Sequence, residues 1–175
     1  YPEEKVTPDV KRYEGFTSPA AQTTTVDGNG NTVIEYKYAR NIHKLKLVDR
    51  GVDENNMEGF GMPFGAAITE VAIRDGYRFE GWYTDASFAE DTKWNSQAPL
   101  VAPVTLYAKW SINEYTIQFS NTEFTPITFT VEDSVVLNNP YKQGYDFVEW
   151  RDENNQVIPP TIENTARNMT LTAVW

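Results

Sequence analysis

The chain has 175 residues, 40% hydrophobic and 14% aromatic, which is enough for one ordinary domain or two to three small ones and too many for a disordered tail. Fifteen basic against 25 acidic side chains leave a net charge of −10, which disfavours nucleic acid and anionic membrane surfaces as partners. Cysteine is absent, excluding disulfides, zinc–thiolate sites and thiol nucleophiles, and no apolar run approaches the roughly 20 residues that cross a bilayer.

Short stretches rich in Val, Ile, Thr, Tyr and Phe are punctuated by 10 Gly and 10 Pro, which predicts a mainly β chain. No basic stretch followed by an apolar one opens it, so an export signal is expected outside this segment. Thr32–Tyr38 alternates with period two, placing Ile34, Tyr36 and Tyr38 on one face and Val33, Glu35 and Lys37 on the other. Thr23–Val26 precedes it across Asp27-Gly28-Asn29-Gly30-Asn31, and this spacing predicts a hairpin. The same loop begins like an EF-hand, but the sixth position is Thr32 instead of Gly and the twelfth is Tyr38 instead of Glu, so no calcium is expected.

From His43 onward the chain repeats itself. The alternating strand His43-Lys44-Leu45-Lys46-Leu47 returns as Tyr115-Thr116-Ile117-Gln118-Phe119. Gly76-Tyr77-Arg78-Phe79-Glu80-Gly81-Trp82 returns as Gly144-Tyr145-Asp146-Phe147-Val148-Glu149-Trp150. Thr105-Leu106-Tyr107-Ala108-Lys109-Trp110 returns as Thr170-Leu171-Thr172-Ala173-Val174-Trp175. Three blocks in one order describe two copies of one module with loops of different length. Tyr77 and Phe79 share a strand face, so Trp82 reaches that side only through a bulge, which Gly81 permits and Glu149 in the second copy does not ease. The closing strands place Val104, Leu106, Ala108 and Trp110, or Met169, Leu171, Ala173 and Trp175, on one face.

Gly-Tyr-x-Phe-x-x-Trp followed by Thr-Leu-x-Ala-x-Trp resembles the Listeria–Bacteroides repeat, the B-repeat of internalin-type surface proteins. The resemblance rests on Gly76, Tyr77, Phe79, Trp82, Leu106 and Trp110 and on Gly144, Tyr145, Phe147, Trp150, Leu171 and Trp175. It implies tandem small β-grasp-like modules in an elongated arrangement, within a bacterial cell-surface or secreted protein. The family's usual proline before the Gly-Tyr pair is present as Pro140 in the second copy, whereas 66–75 of the first offers a short helix or an extra strand. Residues 1–41, with Val6-Thr7-Pro8 and Tyr13-Glu14-Gly15-Phe16, are similar to the C-terminal part of a mucin-binding-protein-like module. The expected organisation is therefore 1–41, 42–110 and 111–175. The linkers are short enough that neighbouring modules should touch, giving a semi-rigid rod.

Chemistry is sparse. Adjacent acid pairs (Glu3-Glu4, Asp53-Glu54, Glu90-Asp91, Glu132-Asp133, Asp152-Glu153) lie beside loop residues and read as solvated surface, because neighbours on a strand point to opposite faces and cannot form a two-carboxylate cleft. His43, the single histidine, is expected to pack where the second copy has Tyr115. No nucleophile-elbow, Walker-type or dinucleotide motif occurs, so no enzyme, cofactor or metal is expected. Trp94, which lacks a second-copy counterpart, is the candidate ligand contact together with Tyr83 and Tyr107, expected off the core faces. Two functions follow as expectations: a monomeric stalk that contributes to adhesion, or a module binding a glycan or a host or matrix protein.

Overall fold

The computed structural model describes residues 4–51 and 59–175; the Asp53-Glu54 pair and Glu3 lie outside them. The chain divides into two compact units. The first comprises 1–49, 53–70 and 82–107, and the second 50–52, 71–81 and 108–175. This division cuts the first sequence repeat, because 71–81 and 108–112 group with the second.

Each repeat opens and closes on parallel neighbours. In the first, β5 (Ile42–Val48) runs parallel to β8 (Val104–Ile112), with Leu45 opposite Val104 and Leu47 opposite Leu106. In the second, β9 (Tyr115–Ser120) runs parallel to β15 (Met169–Val174), with Ile117 opposite Met169 and Phe119 opposite Leu171. The register is identical once the repeats are aligned, since Leu45 corresponds to Ile117 and Val104 to Met169. Two further strands complete the first sheet, β6 (Phe60–Pro63) and β7 (Tyr77–Tyr83), in the order β6-β5-β8-β7. The second sheet adds β10 (Ile127–Phe129), β12 (Glu149–Arg151) and β13 (Val157–Ile158), in the order β10-β9-β15-β12-β13. Between them in sequence, β11 (Val135–Val136) pairs with β14 (Thr161–Ile162) as a separate ribbon.

Alternation supplies the cores. Leu45, Leu47 and Leu106 are buried in the first unit together with Ile68, Trp82, Tyr83 and Leu100. In the second, Ile117, Phe129, Leu137, Trp150, Ile162, Met169, Leu171 and Ala173 form one cluster. The indole N–H groups of Trp82 and Trp150 find acceptors at matching places in the two copies. Trp82 Nε1 donates to Glu70 O at 2.8 Å and Trp150 Nε1 to Asn138 O at 3.3 Å, in both cases a carbonyl 12 residues upstream. The alternation of β7 breaks at Gly81 (φ 136°), after which Trp82 and Tyr83 are buried in succession. In the second copy the strand shortens to Glu149–Arg151, so the full Gly-Tyr-x-Phe-x-x-Trp strand exists only in the first. The 66–75 segment forms no helix. It runs irregularly past 99–100, with Gly65 N–H donating to Leu100 O and Leu100 N–H to Ala66 O, and buries Ile68 and Ala72.

The predicted N-terminal hairpin does not form. β3 (Thr24–Thr25) pairs instead with β1 (Lys5–Val6), and β2 (Phe16–Thr17) pairs with β4 (Ala39–Arg40). The 27–31 loop closes on itself, with Gly30 N–H donating to Asp27 O and Asp27 N–H to Thr32 Oγ1. Thr32–Tyr38 keeps the alternating burial of a strand and has no ladder partner among the described residues.

Asp152 overturns the reading of its acid pair as solvated surface, because it is 5% exposed. Its Oδ1 accepts the Asn154 and Gln156 N–H groups at 3.0 and 2.9 Å, and its Oδ2 accepts from Arg167 Nη2 at 2.7 Å. The Gln156 N–H bond leads the causes that hold its carboxyl below the usual carboxylate value of 3.8, and Arg167 adds to them. A depressed folded-state pKa stabilises above the unfolded value and loses that stabilisation as pH falls through the folded one. Wild type should therefore lose thermal stability steeply on acidification below about pH 4. Asp152→Asn should start from a lower melting temperature and show a shallower acid slope, measured by circular dichroism melts from pH 7 to pH 2.

Candidate functional site

The three aromatic residues singled out from the sequence do not form one exposed platform. Tyr83 is 1% exposed, not off the core face as expected. Its ring meets Phe88 edge-on at 5.5 Å, and its backbone bridges Lys93. The local cause is a doubling back of the chain after the 3-10 turn at Glu90–Thr92: Thr84 N–H donates to Thr92 O and Trp94 N–H to Trp82 O, both at 2.8 Å. Trp94 is half-buried, and its Nε1 is enclosed with no hydrogen-bond partner. Tyr107 is half-buried opposite Val48 on β8. His43 packs beside Phe64 with ring centroids 6.0 Å apart, in keeping with a packing role.

A second locus was missed because it joins segments far apart in sequence. An open cavity of about 540 Å³ lies between 6–13 and 26–38 and is lined by Val6, Pro8, Ile34, Tyr13, Tyr36 and Tyr38 among others. Tyr36 Oη donates to Pro8 O and Tyr38 Oη to Lys11 O, each at 2.8 Å, and Tyr13 meets Tyr38 edge-on at 4.9 Å. The alternation of 32–38 was the available signal, since it placed Ile34, Tyr36 and Tyr38 on one face.

The third locus is a seam inside the second unit, where the Gly-Tyr turn of the first repeat meets residues of the second. Tyr77 Oη donates to Glu132, Asn113 N–H donates to Gly76 O at 2.9 Å, and the Arg74 guanidinium stacks over the Tyr77 ring at 4.1 Å. Gly76 has φ +81°, and a Cβ there would stand 2.5 Å from Val131 Cβ. The hydrogen bond to Glu132 heads the causes that hold the Tyr77 phenol above its usual range. Beside it, the hydrogen bond from Ser111 and then that from Arg78 keep Glu80 below the usual carboxylate range. The second copy repeats the motif without these contacts. Gly144 has the same φ with nothing within 4 Å, and Tyr145 is 58% exposed beneath the Lys142 ammonium at 4.1 Å.

None of the three loci assembles a nucleophile with a base. Among the described residues no group of three or more His, Asp or Glu is placed to hold a metal ion, and no helix is long and apolar enough to cross a membrane. What they supply is packing, backbone hydrogen bonds and aromatic contact.

Comparison with known proteins bears on the same residues. The profile of the Listeria-Bacteroides repeat domain matches 54–109 and 115–174, in two tandem copies. A protein of Evansella cellulosilytica named as a membrane protein is 30% identical over 129 residues, covering 64% of this chain and 19% of that protein. A second from the same organism, named as a Gly-rich membrane protein, is 26% identical over 144 residues, covering 77% and 16%. Internalin H of Listeria monocytogenes is 35% identical over 86 residues, covering 45% and 15%. The chain thus spans less than a fifth of the length of each relative. No solved structure matches it significantly. The mucin-binding likeness drawn for 1–41 finds no support in these matches.

Proposed function

We propose, given that this chain belongs to the Listeria-Bacteroides repeat domain family, that it is a non-catalytic, load-bearing spacer in a bacterial cell-surface protein. The names of its relatives support the setting. The observation that carries the mechanical reading is the parallel pairing of first and last strands, Leu45–Val48 with Val104–Tyr107 and Ile117–Ser120 with Met169–Thr172. In a parallel pair the chain enters at one end and leaves at the other, so tension lies along the strands. The ladder hydrogen bonds then share the load in shear instead of opening one by one. A glycan- or host-protein-binding role has less support, because Tyr83 is interior and Trp94 directs its indole N–H inward.

Pulling the full chain between its termini tests the reading. Extension of the second repeat should appear as a discrete rupture releasing about 200 Å, from roughly 60 residues at about 3.3–3.6 Å each. Extension without a resolvable force peak would overturn the load-bearing role.

A further inference from the structure

We infer that the free edge of residues 32–40 is a pairing surface for the same edge of a second copy of this chain, joined antiparallel about Tyr36. In an extended chain, alternate residues turn their backbone N–H and C=O groups to opposite sides. Asn41 N–H donates to Gly15 O at 2.8 Å, and Gln22 Nε2 donates to Glu35 O at 3.3 Å, so the odd-numbered residues address one side. Thr32, Ile34, Tyr36 and Tyr38 address the other, and no described backbone group pairs with them there.

This edge is held ready. The Tyr36 and Tyr38 hydroxyls are anchored on the carbonyls of Pro8 and Lys11, so little backbone freedom remains to be lost when a partner strand arrives. Unpaired edges recruit strands, and proteins commonly guard them with charge. Here the guard is specific. Glu35 and Lys37 are both exposed, carry opposite signs and stand two residues apart on the outer face. If Tyr36 faces its own copy, Ile34 faces Tyr38 and Glu35 faces Lys37 in both directions. The even-numbered pairs would exchange backbone hydrogen bonds. The odd-numbered pairs would fall at the non-hydrogen-bonded positions, where Cα atoms approach to about 4.5 Å and side chains interact most closely. The register is thus self-complementary in charge as well as in backbone bonding, as a two-fold interface requires. It departs from the monomer expected from the sequence.

Sedimentation of the full 175-residue chain over a concentration series tests this. Wild type should show reversible dimerisation. Lys37→Glu sets Glu against Glu twice, and Glu35→Lys sets Lys against Lys twice; each should raise the dimer Kd by about tenfold or more. Both sites are exposed, so circular dichroism should be unchanged. Mixing the two variants restores both opposite-charge pairs and should bring the dimer back. A wild type that stays monomeric at every concentration would overturn the inference. So would a dimer indifferent to both reversals, or a mixture no more associated than its components.

Discussion

Trp150→Ala should unfold the second repeat while the Leu45–Leu106 core of the first unit stays protected. The indole is 2% exposed and is surrounded by Phe119, Phe147 and Phe124 at ring distances of 5.2, 5.4 and 6.0 Å. Replacing a buried Trp with Ala costs about 3–5 kcal/mol, through lost transfer energy and the cavity left behind. A core built from about 60 residues rarely supplies more than about 3–5 kcal/mol in total, so the two quantities are of one size. Hydrogen exchange should show amides of 115–174 losing protection while those of Leu45–Val48 keep it. Trp150→Phe should retain most of the stacking and lose about 1 kcal/mol for the bond to Asn138 O. A Trp150→Ala chain with unchanged exchange in β9 and β15 would show that the aromatic cluster does not carry this repeat.

Gly76→Ala should cost clearly more than Gly144→Ala, although the two residues hold the same place in the motif and the same φ of +81°. Left-handed backbone alone penalises Ala by about 1–2 kcal/mol, and that is the whole expectation at Gly144, where a Cβ meets nothing. At Gly76 the new methyl would collide with Val131 Cβ and Cγ1 at 2.5 Å, adding about 1–3 kcal/mol of overpacking. Paired denaturant melts of the two variants give the seam's contribution as their difference. Tyr77→Phe should remove the bond to Glu132 and leave the strand in place, so it separates hydrogen bonding from packing at the seam. Equal melts for Gly76→Ala and Gly144→Ala would show that the turn does not bear on the second repeat.

Much of this architecture was readable one strand at a time. Leu45 and Leu47, Leu106 and Ala108, and their counterparts Ile117, Leu171 and Ala173 alternate with polar residues, and all of them are buried or nearly so. The break at Gly81 followed from the odd spacing between Phe79 and Trp82. The failures share a cause: each depended on what a distant segment would do. Thr32–Tyr38 has the period of a strand, but Thr24–Thr25 pairs with β1, and the Tyr36 and Tyr38 hydroxyls bond the carbonyls of Pro8 and Lys11. Tyr83 was placed off the core by its step from Trp82, but both are buried in succession because Phe88, five residues on, closes over the Tyr83 ring. Asp152 looked like one of a solvated pair until Arg167, 15 residues on, and the turn N–H groups enclosed its carboxylate.

The sequence by itself determined that two copies of one β module follow each other and where their opening and closing strands lie. Those are properties of short-range periodicity and of self-similarity, and neither needs a partner to be expressed. Only the tertiary structure decided which edges pair, which edge of 32–40 is left open, and that the Gly-Tyr turn of one repeat seats against Val131 and Glu132 of the next. Pairing and seating depend on groups tens of residues apart. Loop geometry brings those groups within hydrogen-bond and van der Waals range, and local pattern carries no record of that geometry.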